Sequence, residues 1–163
     1  HKYQQEGGPL LRDCVGLLRE WSTAPVLDLR DFIDGQIFNV LIGNADAHGK
    51  NYSMLYQGGQ RRLAPFYDLV STLAWPELSK TPAMKIGGCA SLDVFTSAPW
   101  QKMAKEARLG WPMIRERIEA LCAQVIDILR GSAMREAMTG GIEASVAALA
   151  QERASALLAN LTH

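Results

Sequence analysis

The feature that most constrains this chain is an abrupt change of character at Gly43. From Asp28 to Ile42 the sequence is dominated by apolar residues, and Leu29, Phe32, Ile33, Ile37, Phe38, Val40 and Leu41 cover more than one face of a helix. A helix that is apolar on several sides must be covered on several sides, so this segment is expected at the centre of a helical core. It runs without a linker into Gly43-Asn44-Ala45-Asp46-Ala47-His48-Gly49-Lys50-Asn51, which is polar and punctuated by glycine. A polar loop fixed to a rigid apolar helix is a place where chemistry is commonly carried.

The flanking segments fit one domain spanning 1–163, mainly α (α+β), a helical bundle with a small β-hairpin. Leu10, Leu11, Cys14, Leu17, Leu18 and Trp21 recur at helical spacing, after a Gly7-Gly8-Pro9 turn and before Pro25. Beyond the polar loop, Tyr52–Tyr56 reads as a strand, Gln57-Gly58-Gly59-Gln60 as a turn and Arg61–Ala64 as the antiparallel partner. Pro65-Phe66-Tyr67-Asp68-Leu69-Val70 follows at once. The hairpin therefore places Asp46 and Asp68 at its same end. Met84-Lys85-Ile86 reads as a further short strand closed by Gly87-Gly88. Helices are expected over about 99–109, 112–130 and 142–161.

Composition removes several classes. With 48% hydrophobic and 21% charged residues the chain is not intrinsically disordered. Lys plus Arg (17) balances Asp plus Glu (17), so any contact with nucleic acid or an anionic surface must come from a local patch. No apolar run approaches the roughly 18 residues of a membrane span. Cys14, Cys89 and Cys122 are widely spaced, which fits reduced core thiols in a cytoplasmic protein better than a zinc site or disulfide framework. Trp21, Trp75, Trp100 and Trp111 are scattered and read as packing. The chain begins with His1 and no signal-peptide pattern, and is expected to be a piece of something longer.

Asp46 and Asn51 lie five positions apart, and Asp68 follows 17 later. Phosphoryl transfer asks little covalent chemistry of a protein and much positioned charge. One carboxylate orients the attacking hydroxyl and accepts its proton. A second carboxylate and an amide oxygen suit magnesium, which prefers hard oxygen ligands. Asn44 reads as an Asx-turn former rather than a ligand.

Gly43–Asn51 together with Leu63-Ala64-Pro65-Phe66-Tyr67-Asp68-Leu69-Val70-Ser71 resembles the catalytic-loop and metal-loop pair of HipA-family serine/threonine kinases. Lys2-Tyr3 through Gly7-Gly8-Pro9 resembles a segment upstream of that loop in the family, and Met84–Gly88 its next strand. The resemblance covers about Lys2 to Gly88 by motif and the later helices only by pattern. It implies the C-terminal lobe of a kinase, with Asp46 as the catalytic base. Asn51 and Asp68 would hold Mg2+. ATP phosphates would be bound around His48, Gly49, Lys50 and Asn51 on one loop, and Tyr67, Asp68, Leu69 and Val70 on the other.

The same resemblance implies a toxin that phosphorylates a translation factor such as an aminoacyl-tRNA synthetase. It further implies restraint by a HipB-like antitoxin and contact with operator DNA through that complex. Lys102, Lys105 and Arg108, three apart, are expected on one helical face, and Lys105 and Arg108 are the candidate DNA contacts. No glycine-rich phosphate loop or paired strand lysine occurs, so a nucleotide-binding N-terminal lobe is expected outside this chain. Asp-x-His-x-x-Asn also resembles lipid and aminoglycoside phosphotransferases, which leaves a small-molecule acceptor open. A non-catalytic module that docks an antitoxin or DNA is the third reading.

Overall fold

The computed structural model describes residues 4–131, 134 and 140–161. Lys2 and Tyr3, part of the upstream resemblance, lie outside the described residues, as does the interior of the segment joining the last two helices. The fold is mainly helical with one two-stranded antiparallel sheet among the described residues. Its helices are α1 (Leu11–Trp21), α2 (Pro25–Ile42), α3 (Ser97–Glu106), α4 (Trp111–Arg130) and α5 (Gly141–Asn160). No helix among them is long and apolar enough to cross a membrane.

α2 is the central element, as its apolar breadth predicts. Phe32, Ile33, Ile37 and Leu41 are fully buried, and α1, α4 and α5 all pack against it. Each such side chain withdrawn from water contributes roughly 1.5–3 kcal/mol, so the helix is fixed from several directions. Pro25 opens α2 and Gly43 closes it, in the left-handed conformation (φ 71°) that glycine adopts without a Cβ penalty. Polar links add register. Asp34 and Arg117 form a two-pronged ion pair between α2 and α4 (2.7 and 2.8 Å). Hydrogen bonds to Asp34 and its charge push the Arg117 guanidinium pKa up further, despite partial burial.

Arg153 of α5 is buried and reaches the Val40 carbonyl (2.7 Å), the Leu92 carbonyl (2.6 Å) and the Asp93 carboxylate (2.8 Å). Its guanidinium also lies over the Phe95 ring at 4.9 Å. One side chain thus ties the last helix to the end of α2 and to the loop before α3.

The hairpin comprises β1 (Met54–Gln57) and β2 (Gln60–Leu63), joined at Gly58-Gly59, with Met54 opposite Leu63. Ala64 N–H donates to the Ser53 carbonyl (2.8 Å) and carries the pairing one step further. Both polar loops therefore emerge at the open end, away from the turn. Asp28 anchors the hairpin to α2. Fully buried, it accepts from the Ser22 hydroxyl (2.5 Å), the Leu63 N–H (2.9 Å) and the Arg62 guanidinium (2.9 Å).

Three expectations are corrected. Met84-Lys85-Ile86 is not a strand: Ile86–Gly88 is a 3-10 turn, with Gly87 at φ 55°. The backbone around it is held by loop residues: Gln4 N–H donates to the Ala83 carbonyl, the Gln4 side-chain oxygen accepts from Lys85 N–H, and Ala83 N–H donates to the Ala45 carbonyl. The apolar alternation of Met84 and Ile86 instead buries both in the helical core. The expected 99–109 helix ends at Glu106, and Arg108 lies beyond it with φ 53°. Lys102 and Lys105 therefore share a helix, but Arg108 does not continue their face. Lys102 faces Glu106 (3.9 Å), and the Arg108 carbonyl accepts from Arg19 (3.2 Å). Of the tryptophans, Trp100 is fully buried but Trp75 is 37% exposed on an apolar groove between α2, α4 and α5.

Candidate functional site

The site is built where α2 ends. After Gly43 the backbone of Asn44 returns to the Asn39 carbonyl (2.8 Å), and the Asn44 side chain becomes a hub. Its Oδ1 accepts from Asp46 N–H (3.1 Å), closing the expected Asx turn. Its Nδ2 donates to Asn39 Oδ1 (2.9 Å) and to the Asp68 carbonyl (3.2 Å). One buried amide thus joins the central helix, the Asp46 loop and the Asp68 loop.

Below the hub lies a polar layer. Gln36 and Asn39, one turn apart on α2, donate to the Tyr52 hydroxyl (2.7 and 3.2 Å). Burial pushes the Tyr52 pKa up to about 12, although its hydrogen bonds to Gln36 and Asn39 act in the opposite direction. The Tyr52 ring meets Phe32 and Phe66 edge to face (centroids 4.9 and 6.1 Å). Phe66 presses on α2 at Gly35, where an added Cβ would stand 2.6 Å from the ring. This contact sets the height at which the following Tyr67-Asp68 pair leaves the core.

Asn51 and Asp68 meet directly: Asn51 Nδ2 donates to Asp68 Oδ2 at 2.5 Å, and Asn51 Oδ1 accepts from His48 N–H at 2.9 Å. Asn51 is buried and Asp68 exposed, so the pair runs from the core to the surface. Asp68 has φ 58°, a left-handed conformation rare outside glycine, asparagine and aspartate. Tyr67 clamps the two loops from outside, its hydroxyl donating to the Lys50 carbonyl (2.7 Å) and lying 3.0 Å from the Ser53 hydroxyl. Asn39, Asn44, Asn51, Tyr67, Asp68 and Leu69 line one small recess.

Asp46 is half-buried and opens elsewhere, into an adjacent cleft of about 420 Å³. That cleft is lined also by Glu6, Thr72, Leu78, Ser79, Thr81 and Pro82. Thr72 holds the loop between them, accepting from Ala45 N–H (2.8 Å) and donating to the Gly43 carbonyl (3.1 Å). The structure therefore brings Asn51 to Asp68 and places Asp46 in the lining of the adjacent cleft. His48 is buried; Gly49 is half-buried and packs on Pro9; Lys50, Leu69 and Val70 stand exposed. Lys105 and Arg108 are exposed and lie outside both groups of lining residues. Spacing pointed to Asp46, Asn51 and Asp68 but not to Gln36, Asn39 or Thr72, whose partners are remote in sequence.

No group of three or more His, Cys, Asp or Glu side chains clusters as a metal site among the described residues. The donors that fit a hard divalent cation are the Asn51 amide oxygen, which accepts from His48 N–H, and the Asp68 carboxylate, which the Asn51 amide nitrogen contacts. Magnesium takes one or two carboxylates and completes its shell with water and phosphate oxygens, which suits this sparse set.

Comparison with known proteins gives the class. Residues 1–129 match the model of the HipA-like C-terminal domain, and the chain belongs to that family. It is 48% identical over 120 residues to "Putative kinase Y4mE" of Sinorhizobium fredii, covering 74% of this chain and 29% of that protein. A second S. fredii protein, "Putative kinase Y4dM", is 31% identical over 124 residues, again over 29% of its length. The serine/threonine-protein kinase toxin HipA of Shewanella oneidensis is 38% identical over 81 residues, 47% of this chain and 19% of that protein. Among solved structures, a chain from the S. oneidensis HipA, HipB and operator DNA complex matches with a TM-score of 0.74. Its identity is 23%, over 94% of this chain and 35% of the other. The fold is thus HipA-like, and the chain spans under a third of the curated relatives it matches.

Proposed function

We propose that this chain is the catalytic-loop lobe of a kinase that transfers the ATP γ-phosphate to a serine or threonine hydroxyl of a protein. The observation that carries the reading is the direct Asn51–Asp68 pairing across two loops, with Asp46 on the same short loop as Asn51. Asp46 is the base that orients the acceptor hydroxyl and takes its proton. Asn51 and Asp68 offer oxygen to Mg2+, which when bound neutralises charge on the phosphates. His48, Gly49 and Lys50 with Tyr67, Leu69 and Val70 form the surface that faces the nucleotide. The glycine-rich loop and paired lysine are supplied by an N-terminal lobe outside these residues, in keeping with the greater length of the relatives.

A protein acceptor is favoured over a lipid or aminoglycoside because a relative is named a serine/threonine-protein kinase toxin. A translation factor such as an aminoacyl-tRNA synthetase, and a cytoplasmic setting, belong to the same reading. The fold match to a chain crystallised with HipB and operator DNA supports a HipB-like antitoxin as partner. Lys105, exposed near the end of α3, and Arg108 beyond it are the proposed DNA contacts.

The test is incubation of the full-length protein that contains these residues with γ-labelled ATP, a protein mixture and separately a metabolite pool. Label on protein that disappears in Asp46→Asn supports the reading. Label confined to metabolites would replace it with a small-molecule phosphotransferase.

A further inference from the structure

Between α2, α4 and α5 lies an apolar groove of about 610 Å³, and none of Asp46, Asn51 and Asp68 lines it. Phe38 of α2, Leu129 of α4 and Val146 of α5 contribute to its lining, together with Leu69 to Ser71 and Trp75. Leu69 also lines the recess that holds Asn51 and Asp68, so the groove is a neighbour of that site and not part of it. Leu69, Val70, Trp75, Ile128 and Ile142 are large apolar side chains left exposed around it. Scattered exposure of this kind is ordinary, but a contiguous apolar patch marks a place where something binds.

One polar group in this lining is unsatisfied. Ser71 is 6% exposed, and its hydroxyl oxygen has no hydrogen-bond partner. Thr72 beside it shows the contrast: also buried, its hydroxyl serves both Ala45 N–H (2.8 Å) and the Gly43 carbonyl (3.1 Å). The Ser71 carbonyl is in use, accepting from Ala74 N–H (3.2 Å), so the side chain is the part left over. Buried hydroxyls are nearly always bonded, and a serine hydroxyl can donate or accept. The lining is also selective by charge. Among its described residues Glu143 is the one ionised side chain, and no basic group offsets it. An anion entering the groove would meet a carboxylate in surroundings that screen poorly.

The geometry points to a binding site for a neutral lipophilic small molecule, its apolar body in the groove and its single hydrogen-bonding group paired with Ser71 Oγ. Small-molecule sites occupy roughly 300–1,000 Å³, with apolar walls and a few placed polar groups, and this groove has that size and composition. A protein partner fits it less well: 15 described residues line the groove, against roughly 20–30 on each side of a stable protein interface. Glu143 disfavours fatty carboxylates and phosphate esters. A long-chain alcohol or an aromatic amine meets all three conditions, with apolar bulk, no negative charge and one group for Ser71. The site holds whether or not the chain transfers phosphate.

The experiment titrates the full-length protein that contains these residues with N-phenyl-1-naphthylamine, a neutral dye with one N–H that fluoresces in apolar surroundings. Saturable binding is expected, with displacement by decan-1-ol. Decanoate should need at least about tenfold higher concentration, because its charge faces Glu143. Ala147→Trp fills the groove from α5, and Ile128→Glu sets a charge in it from an exposed position on α4. Each should weaken the dye at least about tenfold. The two lie on different helices, and urea denaturation identifies a variant that has lost its fold. Ser71→Ala should weaken decan-1-ol at least about threefold, the effect of one hydrogen bond. No saturable binding by the full-length protein, as when another segment or a partner already fills the groove, overturns the inference. So does dye binding that survives the groove substitutions in folded protein, decanoate as effective as decan-1-ol, or unchanged decan-1-ol affinity in Ser71→Ala.

Discussion

The side chains of Asn51 and Asp68, 17 residues apart and on either side of a β-hairpin, meet at 2.5 Å. This contact needs three supports. The hairpin brings the two loops to one end, Phe66 seats against Gly35 to fix the height of the second loop, and Asn44 ties both loops to α2. Asp68 is held meanwhile in a left-handed conformation, a local strain that the surrounding bonds sustain.

Asn44→Ala removes the hub while leaving every proposed ligand in place. Asn39 Oδ1 loses its donor and Asp46 N–H its acceptor, at a cost of about 1–3 kcal/mol for each group left unpaired in the interior. The expected outcome is a lower denaturation midpoint together with reduced phosphotransfer in the full-length protein. Asn44→Asp should keep the Asx turn but lose both amide donations. Urea denaturation and initial rates, measured on the same preparations, check this.

Asp28 makes the protein sensitive to acid. Burial by itself would raise its pKa, but bonds from the Ser22 hydroxyl, Leu63 N–H and Arg62, and the Arg62 charge, hold it below the ordinary value. A carboxylate depressed in the fold contributes stability that is fully present above its unfolded pKa of about 3.9 and is lost as pH falls through the lower folded value. Stability should therefore fall below about pH 4 more steeply in the wild type than in Asp28→Asn. Asp28→Ala should cost about 3–5 kcal/mol at neutral pH, since it leaves the Arg62 partner and Leu63 N–H uncompensated. Denaturant melts across the acid range measure both.

Arg153 carries more than its neighbours on α5. Arg153→Met keeps most of the apolar stem but leaves the Val40 and Leu92 carbonyls without this donor. About 1–3 kcal/mol per orphaned carbonyl is expected. Hydrogen exchange should show faster opening of the α2 C-terminal turn, next to Gly43. Unchanged protection there would show that α5 does not brace the site.

Cys122 is fully buried in α4 and burial pushes its thiol up to about 12; burial and the nearby Asp13 carboxylate raise Cys14 to about 11. Both should resist alkylation by iodoacetamide at pH 8 in the folded protein and react on unfolding, because the thiolate is the nucleophile. Peptide mass spectrometry after a timed pulse reads the difference.

Much of this architecture is visible in the residues, for identifiable reasons. The breadth of the apolar surface from Leu29 to Leu41 requires a central helix, and Gly58-Gly59 between short strands requires a hairpin. The approach of the Asn51 and Asp68 loops follows from those two facts. What spacing does not reveal are bonds between remote positions: Arg153 to Val40, Asn44 to Asp68, Gln36 to Tyr52. Each is a polar residue in a segment whose local pattern is otherwise satisfied, so nothing nearby marks its partner. Met84-Lys85-Ile86 misleads because alternation reports burial, not pairing, and here burial is among helices. The expected single face of Lys102, Lys105 and Arg108 fails because the spacing of three holds only while the helix lasts, and it ends at Glu106.

The most direct test of the account is the Mg2+ dependence of phosphotransfer by the full-length protein, compared with Asn51→Ala and Asp68→Asn. If these two side chains share one cation, the half-saturating Mg2+ concentration rises at least about tenfold in each variant, a loss of about 1.4 kcal/mol in cation binding. Folded variants with the wild-type Mg2+ dependence would contradict it.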